Sequence, residues 1–151
     1  MKQISGQKNI VAMLGCITAG DRICLVLEFC ANLDLLHYVK KLQNNNNNNN
    51  NNEINLEETQ KKIKKEFFIF AWQISHGLEF LASEGVIHRD LAARNILIDA
   101  DKSAKITDFG LSIQIPIFEN VVTCLDTEKL PIKWLSIESL KNHEFSFKTD
   151  M

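Results

Sequence analysis

No apolar run in this chain approaches the roughly 20 residues that a membrane-spanning helix needs; the densest is Phe67-Phe68-Ile69-Phe70-Ala71-Trp72. The start carries Lys2 but neither an apolar core nor a small-residue cleavage site, which speaks against a secretory signal. Charge is nearly balanced. A net −2 and a pI near 6.1 provide no field for a nucleic acid or an anionic bilayer. Cys16, Cys24, Cys30 and Cys124 show no CxxC or Cys/His spacing, and the four histidines are scattered. Zinc is therefore not expected, and free thiols in a reducing compartment are. Tyrosine occurs once, as Tyr38.

What is present is 151 residues at 45% hydrophobic and 24% charged, the composition of one globular domain. Apolar runs at 10–18 and 23–29, divided by the turn Ala19-Gly20-Asp21-Arg22, predict two antiparallel strands. Leu33 through Val39 opens a helix. Asn44 through Asn52 is a uniform asparagine tract with no apolar surface to offset the entropy of ordering, and is expected to be a disordered surface loop. Residues 57–65 read as a solvated, charged approach to a long helix over 66–84. Phe67, Phe70, Ala71, Ile74, Leu78 and Leu81 make its apolar face, its Phe and Trp residues are expected in the core, and Gly85 caps it. His76 is read as solvated or satisfied. Val86-Ile87 starts a strand, and Ile96-Leu97-Ile98 with Ala104-Lys105-Ile106-Thr107 predicts a hairpin around Asp99-Ala100-Asp101-Lys102.

The chemistry concentrates in Ile87-His88-Arg89-Asp90-Leu91-Ala92-Ala93-Arg94-Asn95, followed by Asp108-Phe109-Gly110. A carboxylate, an amide and a second carboxylate at this spacing suit phosphoryl transfer from a nucleotide to a hydroxyl. On these two motifs the chain resembles part of a protein kinase catalytic domain, of the receptor tyrosine type typified by the platelet-derived and fibroblast growth factor receptors. The resemblance implies an α+β, protein-kinase-like fold that is incomplete: the end of the small β lobe plus the front half of the mainly helical large lobe. Residues 1–29 would be the remnant of the small-lobe strands and hinge, 30–43 the post-hinge helix, 44–65 a low-complexity kinase insert, and 66–151 the large-lobe part with catalytic loop and activation segment.

The resemblance also assigns roles. Asp90 would accept the hydroxyl proton, Arg94 would orient it, and Asn95 and Asp108 would hold Mg2+ against the phosphates of ATP. Lys8 through Cys16 resembles the stretch entering the fourth strand, and Leu25-Val26-Leu27-Glu28-Phe29-Cys30 the fifth strand and hinge. Leu27 would stand behind the adenine, backbone groups of Glu28 and Cys30 would bond its edge, and Leu97 would floor the ring. His88 and Phe109 would pack beneath the site. Leu33 stands where such receptors usually have glycine, and would crowd the pocket mouth. Through the resemblance, Leu91-Ala92-Ala93-Arg94-Asn95 and Leu130-Pro131-Ile132-Lys133-Trp134 imply a protein substrate presenting tyrosine, while the near-balanced charge leaves no nucleic-acid partner expected. They also imply a cytoplasmic location, on the cytoplasmic side of the membrane where the parent is a receptor.

The segment between Asp108 and Glu138 contains no tyrosine. Phe118 stands where related receptors have one, so the usual autophosphorylation, whose charge would pair with Arg89, is not expected. Thr123 and Thr127 are alternative acceptors, and Asp126 or Glu128 could supply fixed charge instead. Ser136-Ile137-Glu138 replaces the family's Ala-Pro-Glu, and Asp150 matches the start of the large buried helix. A full domain has roughly 250 residues or more. The Gly-rich loop, strand lysine and helix-C glutamate are absent from these residues, so the chain alone is expected to be inactive. The alternatives are a pseudokinase-like interaction module that does not turn over, or an unstable truncated product.

Overall fold

The computed structural model describes residues 4, 6–20, 22–48, 53–116, 118–119, 121–124 and 130–151. Asp126, Thr127 and Glu128 lie outside these residues. β1 (Met13–Ile17) and β2 (Cys24–Leu27) pair antiparallel with Ile17 opposite Cys24, as the two apolar runs predict, though the ladder is shorter than the runs. Cys16 and Cys24 remain separate thiols: facing residues share one side of a ladder, and Cys16 faces Leu25 rather than Cys24.

α1 (Leu35–Asn48) follows. Asp34 starts it, its carboxylate accepting the His37 N–H at 2.9 Å. The helix runs through the first five asparagines of the tract expected to be a loop; 49–52 lie outside the described residues. Once a helix is nucleated, each added residue gains a hydrogen bond, and asparagine costs only about 0.7 kcal/mol against alanine. α2 (Glu53–Ser83) likewise starts well before residue 66. The exposed stretch 57–65 is helical because Glu57 and Glu58 precede Lys61 and Lys62 by one turn, the favourable order for such pairs.

The buried face of α2 differs from the expected one. Phe70 and Leu81 are almost fully buried, with Phe67, Ile74 and Leu78 packed beside them, but Ala71 is exposed. Gln73 and Gly77 take the buried positions, completing the spacing 70, 73, 74, 77, 78, 81. Gln73 Oε1 accepts the Ala104 N–H at 2.8 Å. At Gly77 a Cβ would lie 3.0 Å from Ile106 Cδ1 and 3.1 Å from the Asn9 carbonyl, so any larger residue would force these neighbours to shift by a few tenths of an ångström. Phe68 and Trp72, expected in the core, are 77% and 63% exposed, because an offset of two residues, about half a turn, places them opposite Phe70 and Ile74. His76 is exposed, stacks on Trp72 and shares a 2.8 Å hydrogen bond with Gln7.

Gly85, at φ 72°, turns the chain from α2 into β3 (Val86–Ile87). β4 (Ile96–Ile98) and β5 (Ala104–Ile106) form the expected hairpin, its turn closed by Asp99, whose Oδ1 accepts the N–H groups of Asp101 and Ser103. Ile4, Ile10, Phe70, Leu81, Ile96, Ile98, Ala104 and Ile106 make one core between α2 and this hairpin. β6 (Ile113–Gln114) pairs with β3, and β7 (Val122–Thr123) pairs with β8 (Glu144–Phe145), which follows α3 (Ile137–Asn142). A second core of Ile87, Ile115 and Phe145 lies under that segment. Helices and short antiparallel ladders segregate as in an α+β protein.

Candidate active site

The loop after β3 is shaped by a residue about sixty positions away. Asp150 ends a 3-10 turn at Phe147–Asp150, capped by Ser146, and its carboxylate accepts the backbone N–H of His88 at 2.6 Å and of Arg89 at 2.9 Å. Burial pushes the Asp150 carboxyl up, and the two backbone donors with the His88 and Arg89 charges only partly pull it back. Arg89 adopts φ 66°, a conformation costly for a side chain this large and held here by those bonds. Arg89 Nε donates to the Leu111 carbonyl at 2.5 Å, and its guanidinium carbon lies 5.2 Å from the centre of the Phe145 ring. The side chain assigned to a phosphate thus lies against the activation segment and an aromatic ring.

Asp90, 8% exposed, emerges from this loop with both carboxylate oxygens engaged. Arg94 contacts Oδ1; Asn95 Nδ2 donates to Oδ2 and to the Asp90 carbonyl, each at 2.8 Å. A 3-10 turn over Ala93–Asn95 makes this possible by folding the chain back within five residues. The Arg94 guanidinium also lies 5.6 Å from the centre of the Trp134 ring.

Asp108 enters from β5. The Thr107 N–H donates to the Asn95 carbonyl at 2.9 Å, which puts the two segments side by side. Asp108 is left-handed (φ 62°) and exposed, its carboxylate loosely capping Gly110 N–H at 3.4 Å. His88 and Phe109 meet edge to face with centres 5.0 Å apart, as expected, and His88 Nε2 lies 2.8 Å from the Thr107 carbonyl. Leu25, Leu27, Thr107, Asp108, Phe109 and Gly110 line a cavity of about 480 Å³, within the size range of small-molecule sites.

Leu27 therefore shares a cavity with Asp108, whereas Glu28, Cys30 and Leu97 are not in its lining. Glu28 N–H is spent on the Ala12 carbonyl at 3.0 Å, so its carbonyl is the backbone group left for a ligand. The Glu28 carboxylate accepts the Ala12 N–H at 2.7 Å and both-sided contacts from Lys105 Nζ at 2.9 and 2.8 Å. Cys30 is buried, and burial followed by the nearby Glu28 charge pushes its thiol up. Leu97 faces Lys105 across the hairpin and bridges Asp34 on its other side.

Leu33 has φ 62°, which explains the glycine expected at this position in different terms. The left-handed backbone is by itself enough to favour glycine there. Hydrogen bonds of Asn32 N–H to the Ile98 carbonyl (3.0 Å) and of Ile98 N–H to the Leu33 carbonyl (2.8 Å) hold it in place.

A family model described as "Protein tyrosine and serine/threonine kinase" matches residues 1–151. The chain belongs to this kinase family. Relatives include the tyrosine-protein kinase receptor torso of Bombyx mori, 32% identical over 181 residues, with 100% of this chain and 22% of the relative covered. The tyrosine kinase receptor Cad96Ca of Drosophila melanogaster is 34% identical over 155 residues, covering 100% and 19%. A fibroblast growth factor receptor of Strongylocentrotus purpuratus is 33% identical over 151 residues, covering 100% and 15%. The chain thus spans about a fifth or less of the length of these relatives, and no helix of the described kinase residues is long and apolar enough to cross a membrane.

Gln73 and the bracing role of Asp150 are what sequence reasoning missed, Asp150 being read there only as the start of a later helix. Gln73 carried a signal, since a polar residue at the third position after Phe70 falls on the buried face. Asp150 carried little, because its partners are backbone N–H groups with no residue identity to read.

Proposed function

We propose that the protein containing this chain transfers the terminal phosphoryl group of ATP to tyrosine hydroxyls of protein substrates, on the cytoplasmic side of the cell membrane where the parent is a receptor. The observation that carries this reading is the Asp90 carboxylate, held on both oxygens by Arg94 and Asn95 within a loop braced by Asp150. A carboxylate oxygen has two lone pairs, so each can accept one donor and still face an incoming hydroxyl. Asp90 takes the phenol proton as the oxygen attacks phosphorus, and Arg94 keeps the carboxylate oriented.

The donor set fits magnesium. Asn95 spends its amide N–H on Asp90, leaving a carbonyl oxygen, and Asp108 presents an exposed carboxylate; both are the hard oxygen donors that Mg2+ prefers. When bound, the metal neutralises charge on the transferring phosphates. Leu27 and Leu97 supply apolar contact to the adenine, and the Glu28 carbonyl and Cys30 backbone bond its edge. Leu130 through Trp134 form the platform for the substrate ring; Pro131 opens a 3-10 turn there, with Trp134 N–H donating to its carbonyl at 2.8 Å.

The test is ATP-dependent phosphorylation of a tyrosine peptide by the full-length protein. Asp90→Asn should lower kcat by about 10²–10⁴, the range for removing a general base, while ATP still binds. Equal turnover in wild type and Asp90→Asn would refute the reading. ATP binding without turnover in the wild type would leave a binding module.

A further inference from the structure

We infer that Trp134 is a positioning residue for the proposed reaction, its ring helping to hold the Arg94 guanidinium at the Asp90 carboxylate. This rests on the kinase reading above. Arg94 is a long side chain, 41% exposed, pairing with a carboxylate that is 11% exposed. A pair open to water on its Arg94 side is weakly held there, because screening and side-chain entropy oppose it. A second support is therefore needed if Arg94 is to fix Asp90 in one orientation. The Trp134 ring provides it, its centre 5.6 Å from the guanidinium carbon. Tryptophan is the aromatic best suited to a cation, and arginine the cation that stacks best on it.

Trp134 is itself about half exposed, at 49%, which is more than a ring serving only to fill a core would be. Its backbone is fixed by the turn that starts at Pro131, whose carbonyl accepts the Trp134 N–H at 2.8 Å. The next turn is fixed too, since Ser136 caps α3 by accepting the Ser139 N–H. Trp134 thus belongs to the activation segment, while Arg94 and Asp90 belong to the catalytic loop. The contact passes the placement of that segment directly to the proposed base. A displaced segment withdraws the ring, Arg94 relaxes into solvent, and Asp90 keeps only its Asn95 donor.

The experiment compares Trp134→Phe with Trp134→Leu in the full-length protein. Both replacements are apolar, and only phenylalanine presents a π face. Trp134→Leu should lower kcat for a tyrosine peptide about tenfold with KM for ATP within about twofold, and Trp134→Phe should stay within about threefold of wild type. Trp134→Leu combined with Arg94→Ala should have a kcat at saturating peptide no lower than Arg94→Ala alone, because the ring's effect on kcat, as distinct from its part in binding the peptide, passes through the guanidinium. The Arg94 Nε–Hε NMR resonance, shifted by the ring current of Trp134, should move in the leucine variant and much less in the phenylalanine variant.

Equal loss in both single variants, or additive loss in the double variant, would overturn the inference in favour of a packing role. The resonance reads the contact without turnover. A wild type that phosphorylates nothing therefore sinks the kinase reading, while an Arg94 signal indifferent to Trp134→Leu sinks this one.

Discussion

Leu33 and Asp34 are consecutive residues that act on stability in opposite ways. Leu33 holds a left-handed backbone that costs a branched side chain about 1–2 kcal/mol. Glycine would remove that cost and lose part of the gain to its freer unfolded chain. Leu33→Gly should therefore stabilise the protein by about 1 kcal/mol, read as a higher urea midpoint at unchanged m-value. A lower midpoint would show that the leucine side chain contributes more than its backbone costs. At Asp34, desolvation alone would raise the carboxyl. The His37 N–H and ring, 2.9 and 2.5 Å away, outweigh it and hold the carboxyl below its ordinary range. A depressed folded value gives stability that is complete above the unfolded carboxylate value and is lost as pH falls through the folded one. The gap in urea midpoint between wild type and Asp34→Asn should narrow as pH drops from 7 to about 3. A gap indifferent to pH would assign the effect to helix capping geometry alone.

α2 shows at the level of the element what periodicity can and cannot tell. Phe70, Ile74, Leu78 and Leu81 were legible because their spacing matches the helical repeat, and they do form the buried face. Ala71 and Trp72 were misread because being apolar was allowed to count as being inside, whereas position around the helix decides it. The early start at Glu53 was missed because a mostly polar and charged stretch, with only Ile54, Leu56 and Ile63 apolar, resembles a loop; its helical content lies in the order of charge. Replacing the acids with lysine, which sets like charges one turn apart, should matter. Glu57→Lys with Glu58→Lys should destabilise the front of α2 by roughly 0.5–1 kcal/mol in total, lowering hydrogen-exchange protection over 57–65 while 70–81 stay protected. Unchanged exchange at low salt would mean that tertiary contacts hold these turns. The grouping proposed as catalytic was far more legible than the helix boundaries. Asp90, Arg94 and Asn95 sit within one short stretch, so local chain geometry suffices to bring them together.

Across the whole molecule, the ties that matter join distant parts of the chain. Tyr38 on α1 donates to Glu66 on α2 at 3.0 Å, and Lys102 from the β4–β5 turn reaches the same carboxylate at 2.5 Å. Those three residues bind together the two helices on either side of the asparagine tract. Asp150 joins the last turn to the catalytic loop. Its raised carboxyl means that the stability it contributes is complete below the unfolded carboxylate value and is lost as pH rises through the folded one. At neutral pH the cost of burying the carboxylate offsets part of what its two backbone bonds provide. Asp150→Ala should therefore cost the modest sum of about 2 kcal/mol and lower kcat by well over tenfold, since the loop loses its brace. A variant with full activity would show that the loop holds its shape unaided.

The Asp150 brace also fixes an order of events during synthesis. His88 and Arg89 leave the ribosome 62 and 61 residues ahead of the carboxylate that receives their N–H groups. At a translation speed of about 5–20 residues per second, that interval lasts several seconds. Throughout it the strained turn at Arg89 lacks the Asp150 acceptor, while Asp90, Arg94 and Asn95 are already made but in an unset arrangement. The last turn of these residues to be made is the one that sets the reactive groups.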